Sequence, residues 1–278
     1  MIETILVILS HPFMQRAILV GSLVSISAAL LGVILVLKRY AMIGDGLSHV
    51  GFGFISVALA LEHFFAFGWA PLWITMPGVL VVAIILLKIK NNSKIKSDSA
   101  IALVSSSALA IGVAVTSWST GMNLDTCNIL FGSILGVTQS DLWISVISSI
   151  LIGILFILYY RKLFAVTFDE DFAKASGLRA RRYGDLIAIL TGMIIVIGMT
   201  VMGTLLISSI IVFPALTSMR IFKSFKSVVI SSGVISLVSF LIGIYLSFVH
   251  DISAGAMIVL VNLAFFIIFT IMEMILKK

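Results

Sequence analysis

This sequence predicts an all-α chain that crosses a membrane eight or nine times, and three observations carry the prediction. Apolar residues fill 61% of the 278 positions and charged ones only 11%, against about 25% charged in a soluble domain. The mean hydropathy is +1.25, too little polar surface to coat a globule in water. The apolar residues also gather in stretches near the ~20 residues a helix needs to cross ~30 Å of hydrocarbon. None of these stretches alternates apolar and polar residues as a barrel strand does. In lipid each backbone amide must be satisfied within its own segment, so the stretches are helices.

In chain order the stretches are 13–37, 46–66, 71–88, 99–118, 141–160, 184–201, 203–219, 227–249 and 253–276. Their orientation follows from lysine and arginine, which favour cytoplasmic loops. With the N-terminus outside, the inside segments hold Lys38 and Arg39, Lys88 to Lys96, Arg161 to Arg182, Arg220 to Lys226, and Lys277 with Lys278. Only Arg16 of the 18 basic residues falls outside, and the C-terminus is cytoplasmic. The net charge of +6 is thus a topology signal and not a nucleic-acid one. Trp69, Trp73, Trp118 and Trp143 fall near outer boundaries, as an aromatic belt would.

Two places are less regular. Residues 127–138 are too short to span and read as a re-entrant or interfacial piece. The stretch 184–219 must leave and return around Gly198 and Gly203, either as two short helices or by penetrating only part of the way. The chain 1–278 otherwise reads as a single membrane domain without a clear internal repeat. No phosphate loop of the Gly-x-x-x-x-Gly-Lys-Ser/Thr type is present, so nucleotide hydrolysis is excluded from this chain. Cys127 is the sole cysteine and permits no intrachain disulfide. The start, with Glu3 and no basic n-region, lacks the pattern of a cleavable signal peptide.

The informative residues are ionisable ones inside an apolar helix. Asp45 and His49 stand in Ile43-Gly44-Asp45-Gly46-Leu47-Ser48-His49, where the second crossing begins. Spaced i and i+4, they share a helix face, and a carboxylate oxygen with an imidazole nitrogen suits one borderline divalent cation. Two ligands do not close a site; a two-fold dimer with this face on its axis would supply four. The other reading is structural: Asp45 caps the helix N-terminus, and His49 is a satisfied histidine near the interface. Gly44, Gly46, Ser48, Gly51 and Gly53 would let neighbouring helices approach or leave room for a path.

The run Leu35-Val36-Leu37-Lys38-Arg39-Tyr40-Ala41-Met42 into that pair resembles the hallmark of the permease subunits of zinc, manganese and iron ABC importers, the ABC-3 family. Three further segments are similar to that family in the same order. They are Asp125 with Leu130-Phe131-Gly132-Ser133-Ile134-Leu135, Met202-Gly203-Thr204-Leu205-Leu206 with Phe213-Pro214-Ala215, and His250-Asp251-Ile252-Ser253-Ala254-Gly255. The last departs from the family by Ser253, where proline is usual. The resemblance implies a permease domain related to the type II ABC importer fold. It also implies a second copy of the chain, a cytosolic ATPase dimer and an external metal-binding protein. No permanently bound cofactor is implied; Zn, Mn or Fe is cargo, and Asp45 and His49 match the pair held to line its path.

The loop 161–183 contains Asp169-Glu170-Asp171-Phe172-Ala173 and then Gly177. Acids in a first turn, small alanines and a glycine stop read as a short helix beside the membrane. The resemblance implies that it docks into the ATPase; the alternative is a solvated loop whose acids balance Arg179, Arg181 and Arg182. Glu62 with His63 and His250 with Asp251 read as hydrated helix ends, and Ser105 to Ser107 as interhelical hydrogen bonders. Two other classes compete: an intramembrane metal-dependent hydrolase using Asp45 and His49, and an ion-gradient-driven carrier. The first needs a third ligand and a general base, and no His-Glu-x-x-His run supplies them.

Overall fold

Residues 12–65, 71–89, 97–118 and 138–276 are described by a computed structural model, and all regular structure among them is helical. The helices are α1 Pro12–Leu37, α2 Ala41–Phe65, α3 Leu72–Ile89, α4 Ser97–Trp118 and α5 Gln139–Phe168. After them come α6 Glu170–Ala175, α7 Ala180–Met202, α8 Thr204–Ile221, α9 Phe225–His250 and α10 Ala254–Leu276. Eight are long and apolar enough to cross a membrane, and α3 is a shorter apolar helix. Each of the nine predicted stretches therefore corresponds to a helix. The expectations for Trp69, for Asp125 to Leu135 with Cys127, and for 127–138 as an interfacial piece lie outside the described residues.

Two differences from the sequence reading have physical causes, and one open alternative closes. The stretch 184–219 is two helices, α7 and α8, each long and apolar enough to cross a membrane, as the first alternative expected. They meet at Gly203, whose φ of 90° and ψ of 160° are a conformation essentially reserved for glycine. Helix α2 starts at Ala41, five residues before position 46. Helix α5 runs on through Arg161 and Lys162 to Phe168; the charges end the hydropathy signal, but both residues are good helix formers.

Helices α1, α7 and α8 form the centre, with α2, α3 and α4 packed along one side and α9 and α10 along the other. Without a hydrophobic force between helices in lipid, close packing must hold the bundle. At Gly32 an added Cβ would lie 1.9 Å from the Ile211 carbonyl oxygen, so α1 and α8 touch backbone to backbone. Polar sealing adds to this: Ser236 Oγ of α9 donates to the Ser25 carbonyl of α1 at 2.9 Å. Ser232 Oγ of α9 likewise donates to the Ala29 carbonyl of α1 at 3.4 Å, so the interhelical serine bonds come from α9, and Ser105 to Ser107 form none among the described residues. Trp73, Trp118 and Trp143 are all exposed at one end of the bundle, the end predicted to face outside. At the other end Lys88 pairs with Asp185 at 3.3 Å and Arg220 with Glu273 at 3.4 Å.

Candidate metal path and docking helix

The turn between α1 and α2 decides where the predicted metal pair sits. The Tyr40 N–H donates to the Leu35 carbonyl at 2.8 Å and the Arg39 N–H to the Val36 carbonyl at 3.0 Å. Arg39 is left-handed with φ 62°, so α1 ends in a Schellman motif in which arginine holds the position usually given to glycine. That backbone costs a non-glycine residue roughly 1–2 kcal/mol, and the burial of Tyr40 against the core helps to offset it. Helix α2 then starts at once, which places Asp45 in its second turn. The first four N–H groups need caps, and Asp45 lies beyond them. It accepts no backbone hydrogen bond among the described residues, so the capping reading is overturned.

Asp45 Oδ1 and His49 Nε2 are 3.7 Å apart, with side chains 60% and 26% exposed. That is too long for a hydrogen bond. Two donors each about 2.1 Å from one ion would stand about 3–3.5 Å apart, so a small side-chain movement makes the pair a two-point ligand. His49 Nδ1 is buried and has no hydrogen-bond partner among the described residues, which leaves the imidazole uncommitted to the protein. The neighbouring small residues serve packing. An added Cβ at Gly53 would stand 2.6 Å from the Ala108 carbonyl oxygen of α4, and one at Gly51 would strike Met199 of α7. Ser48 Oγ donates to the Gly44 carbonyl at 2.7 Å and stays within its own helix. Neighbouring helices thereby occupy the other faces of α2 and leave Met42, Asp45 and His49 as a stripe open to the outside of the chain. No group of three or more His, Cys, Asp or Glu gathers among the described residues, so this pair is the most that one chain offers an ion here.

The predicted docking residues form α6 and its caps. Asp169 Oδ1 accepts from the N–H groups of Asp171 at 3.0 Å and Phe172 at 2.8 Å, an N-cap. Lys174 reaches Glu170 and Asp171, each at 3.2 Å; the hydrogen bond to Glu170, then that to Asp171, raises its pKa. Gly177, at φ 82°, closes a second Schellman motif, with the Leu178 N–H donating to the Ala173 carbonyl at 3.0 Å. Ala173 is buried against Val166 and Ala180 and anchors the helix. Asp171 (94% exposed side chain) and Phe172 (67%) point away from the bundle.

Sequence reasoning missed a connection between the two sites. A cleft of about 330 Å3 separates residues 37–40 from residues 166–168 and Glu170. Burial, and then the charge of Glu170, push the Tyr40 hydroxyl up to about 12, so it stays protonated. The only signal in the sequence is one tyrosine between two charges and a predicted helix start, which does not name a partner 130 residues away.

Eight helices long and apolar enough to cross a membrane make this a multi-pass membrane protein. Residues 10–273 match the family described as the ABC 3 transport family. The chain belongs to that family, as a multi-pass plasma-membrane transport subunit and not an enzyme. It is 30% identical over 256 residues to the manganese import system permease protein ScaB of Streptococcus gordonii, covering 92% of this chain and 90% of that protein. It is 35% identical over 277 residues to a Haemophilus influenzae protein named "Probable iron transport system membrane protein", covering 96% of each. Its fold superposes on a chain in the structure of PsaBC from Streptococcus pneumoniae in complex with Fab. There the TM-score is 0.84 and the identity 31%, over 97% of this chain and 95% of that one.

Proposed function

We propose that two copies of this chain form the path by which an ABC importer carries a divalent first-row metal ion into the cell. The observation that carries the reading is the open Asp45 and His49 pair, spaced like two ligands of one ion and capping nothing. Facing a second copy across a two-fold axis, the pairs become two carboxylates and two imidazoles, enough for a four-coordinate ion in transit. Oxygen and imidazole donors accept Mn, Fe and Zn, and relatives named for manganese and iron support the first two.

The basic residues support an orientation with the N-terminus outside and the C-terminus in the cytoplasm. In that orientation α6 faces the cytosol, where Asp171 and Phe172 would enter a groove of a cytosolic ATPase, and an external metal-binding protein would deliver the ion at the tryptophan end. Motion of α6 would reach the metal pair by a short route. Glu170 acts on Tyr40, and Tyr40 closes the turn from which α2 rises to Asp45 one turn later. A hydrolytic centre is less well supported, because no third acid, histidine or cysteine joins the pair among the described residues.

The test substitutes Asp45→Asn and His49→Gln. Both changes preserve size and polarity and remove a ligand. Metal uptake at limiting concentration is expected to fall to background in both, with membrane abundance and ATPase association unchanged. Full uptake by Asp45→Asn would refute the ligand assignment.

A further inference from the structure

Away from α2, the bundle carries a groove of about 700 Å3 between α1, α5 and α9 that the transport path does not use. Leu30 of α1, Ile157 of α5, and Val229 and Ile230 of α9 wall it, and Arg161, Lys162 and Lys226 lie at its basic end. The arrangement follows from helix geometry. Arg161 stands one turn beyond Ile157 on α5, and Lys226 one turn before Ile230 on the antiparallel α9, so each helix sets a cation beneath an apolar wall residue. Rings brace that end: Phe225 packs on Tyr160 at 5.3 Å and on Phe164 at 5.1 Å between centroids.

The cations of this groove differ from their neighbours at the same end of the bundle. Lys88, Lys174 and Arg220 are each paired with a carboxylate. Arg161 and Lys226 have no carboxylate partner among the described residues, and Lys162 lies over the rings of Tyr159 and Tyr183 at 5.5 and 5.6 Å. Ile157 and Ile230 are exposed, as suits a surface that meets acyl chains. An apolar trough closed by unneutralised cations has the shape and charge of a lipid with an anionic headgroup, and basic pockets between transmembrane helices bind such headgroups.

We infer that this groove holds one anionic glycerophospholipid per chain, its acyl chain along Ile157 and Ile230 and its phosphate between Arg161 and Lys226. The proposed orientation makes this an inner-leaflet lipid; the inference takes nothing else from the proposed function. Binding can be read in detergent whether or not the chain moves metal.

The experiment measures retained lipid by native mass spectrometry on the delipidated, purified transporter, titrated with phosphatidylglycerol or phosphatidylcholine. The wild type is expected to retain one phosphatidylglycerol per chain in excess over phosphatidylcholine. Arg161→Gln and Lys226→Gln should each weaken it about fivefold, as expected for ~1 kcal/mol per cation near a membrane surface. Lys223→Gln, which removes an exposed cation outside the groove, should leave retention unchanged. Three results would overturn the site: equal retention of both lipids, equal loss in Lys223→Gln, or unchanged retention in the Arg161 and Lys226 double variant. A disulfide cross-link between two copies of the Ile157→Cys variant would also overturn it, by giving the groove to a subunit contact.

Discussion

Asp169 and Asp45 are both aspartates at the starts of helices near the same end of the bundle, yet the backbone uses them in opposite ways. Asp169 stands immediately before α6 and accepts two backbone N–H bonds, and its acidic followers are drawn to Lys174. Asp45 stands one turn inside α2, where the helix satisfies its own amides, and its carboxylate is left facing a histidine at 3.7 Å. A carboxylate that completes a helix end is structural even when exposed. One that the helix does not need, held beside an imidazole on an apolar helix, is available to a ligand. Position relative to the first turn decides between the roles, and residue type does not.

The largest expected effect breaks the comparison at function. Asn caps a helix about as well as Asp, so Asp169→Asn should keep near-normal uptake while Asp45→Asn abolishes it. Similar loss in both would mean that charge at this end of the bundle matters in general and that Asp45 is not special. Next in size, replacing Asp171 and Phe172 by Gly and Ser leaves the cap and the metal pair in place but removes the outward face of α6. Uptake should drop severalfold or more while the partner ATPase still hydrolyses ATP, an uncoupling seen only when both are measured together. Normal uptake would make the segment a tether.

Stability separates the two aspartates on a smaller scale. Asp169→Ala should cost about 1 kcal/mol and lower the thermal unfolding midpoint of the purified protein. Asp45→Leu removes no cap, so it should leave that midpoint unchanged or raise it; a fall matching that of Asp169→Ala would restore a capping role. The smallest effect concerns the link between the sites. Tyr40→Phe keeps the buried ring and deletes the hydroxyl that Glu170 influences. We expect uptake per ATP hydrolysed to fall about twofold to fivefold, the equivalent of about 0.4–1 kcal/mol, with abundance preserved.

The nine apolar helices were legible because hydropathy over about 20 residues is a physical requirement of the bilayer. The short helix α6 was legible too, because Asp169 and Gly177 are chemical signals for a start and a stop. What escaped was local backbone against the hydropathy trend. Lys38, Arg39 and Tyr40 look like a loop, yet they are a tight Schellman turn with a left-handed arginine, and the polar Gly44-Asp45-Gly46 hides a helix already under way. Arg161 and Lys162 ended the apolar run but not α5. The Ser236 to Ser25 bond and the approach of Tyr40 to Glu170 join residues far apart in sequence, and no local pattern encodes them.

Asp45 is proposed to bind cargo, and metal analysis of the purified transporter reads that binding apart from transport. Equilibrated with a small excess of Mn²⁺ and washed, the wild type should retain about one ion per pair of chains, as four donors from two chains require. Asp45→Asn should retain none while Asp169→Asn retains as much as the wild type. Equal metal in the wild type and in Asp45→Asn would contradict the claim.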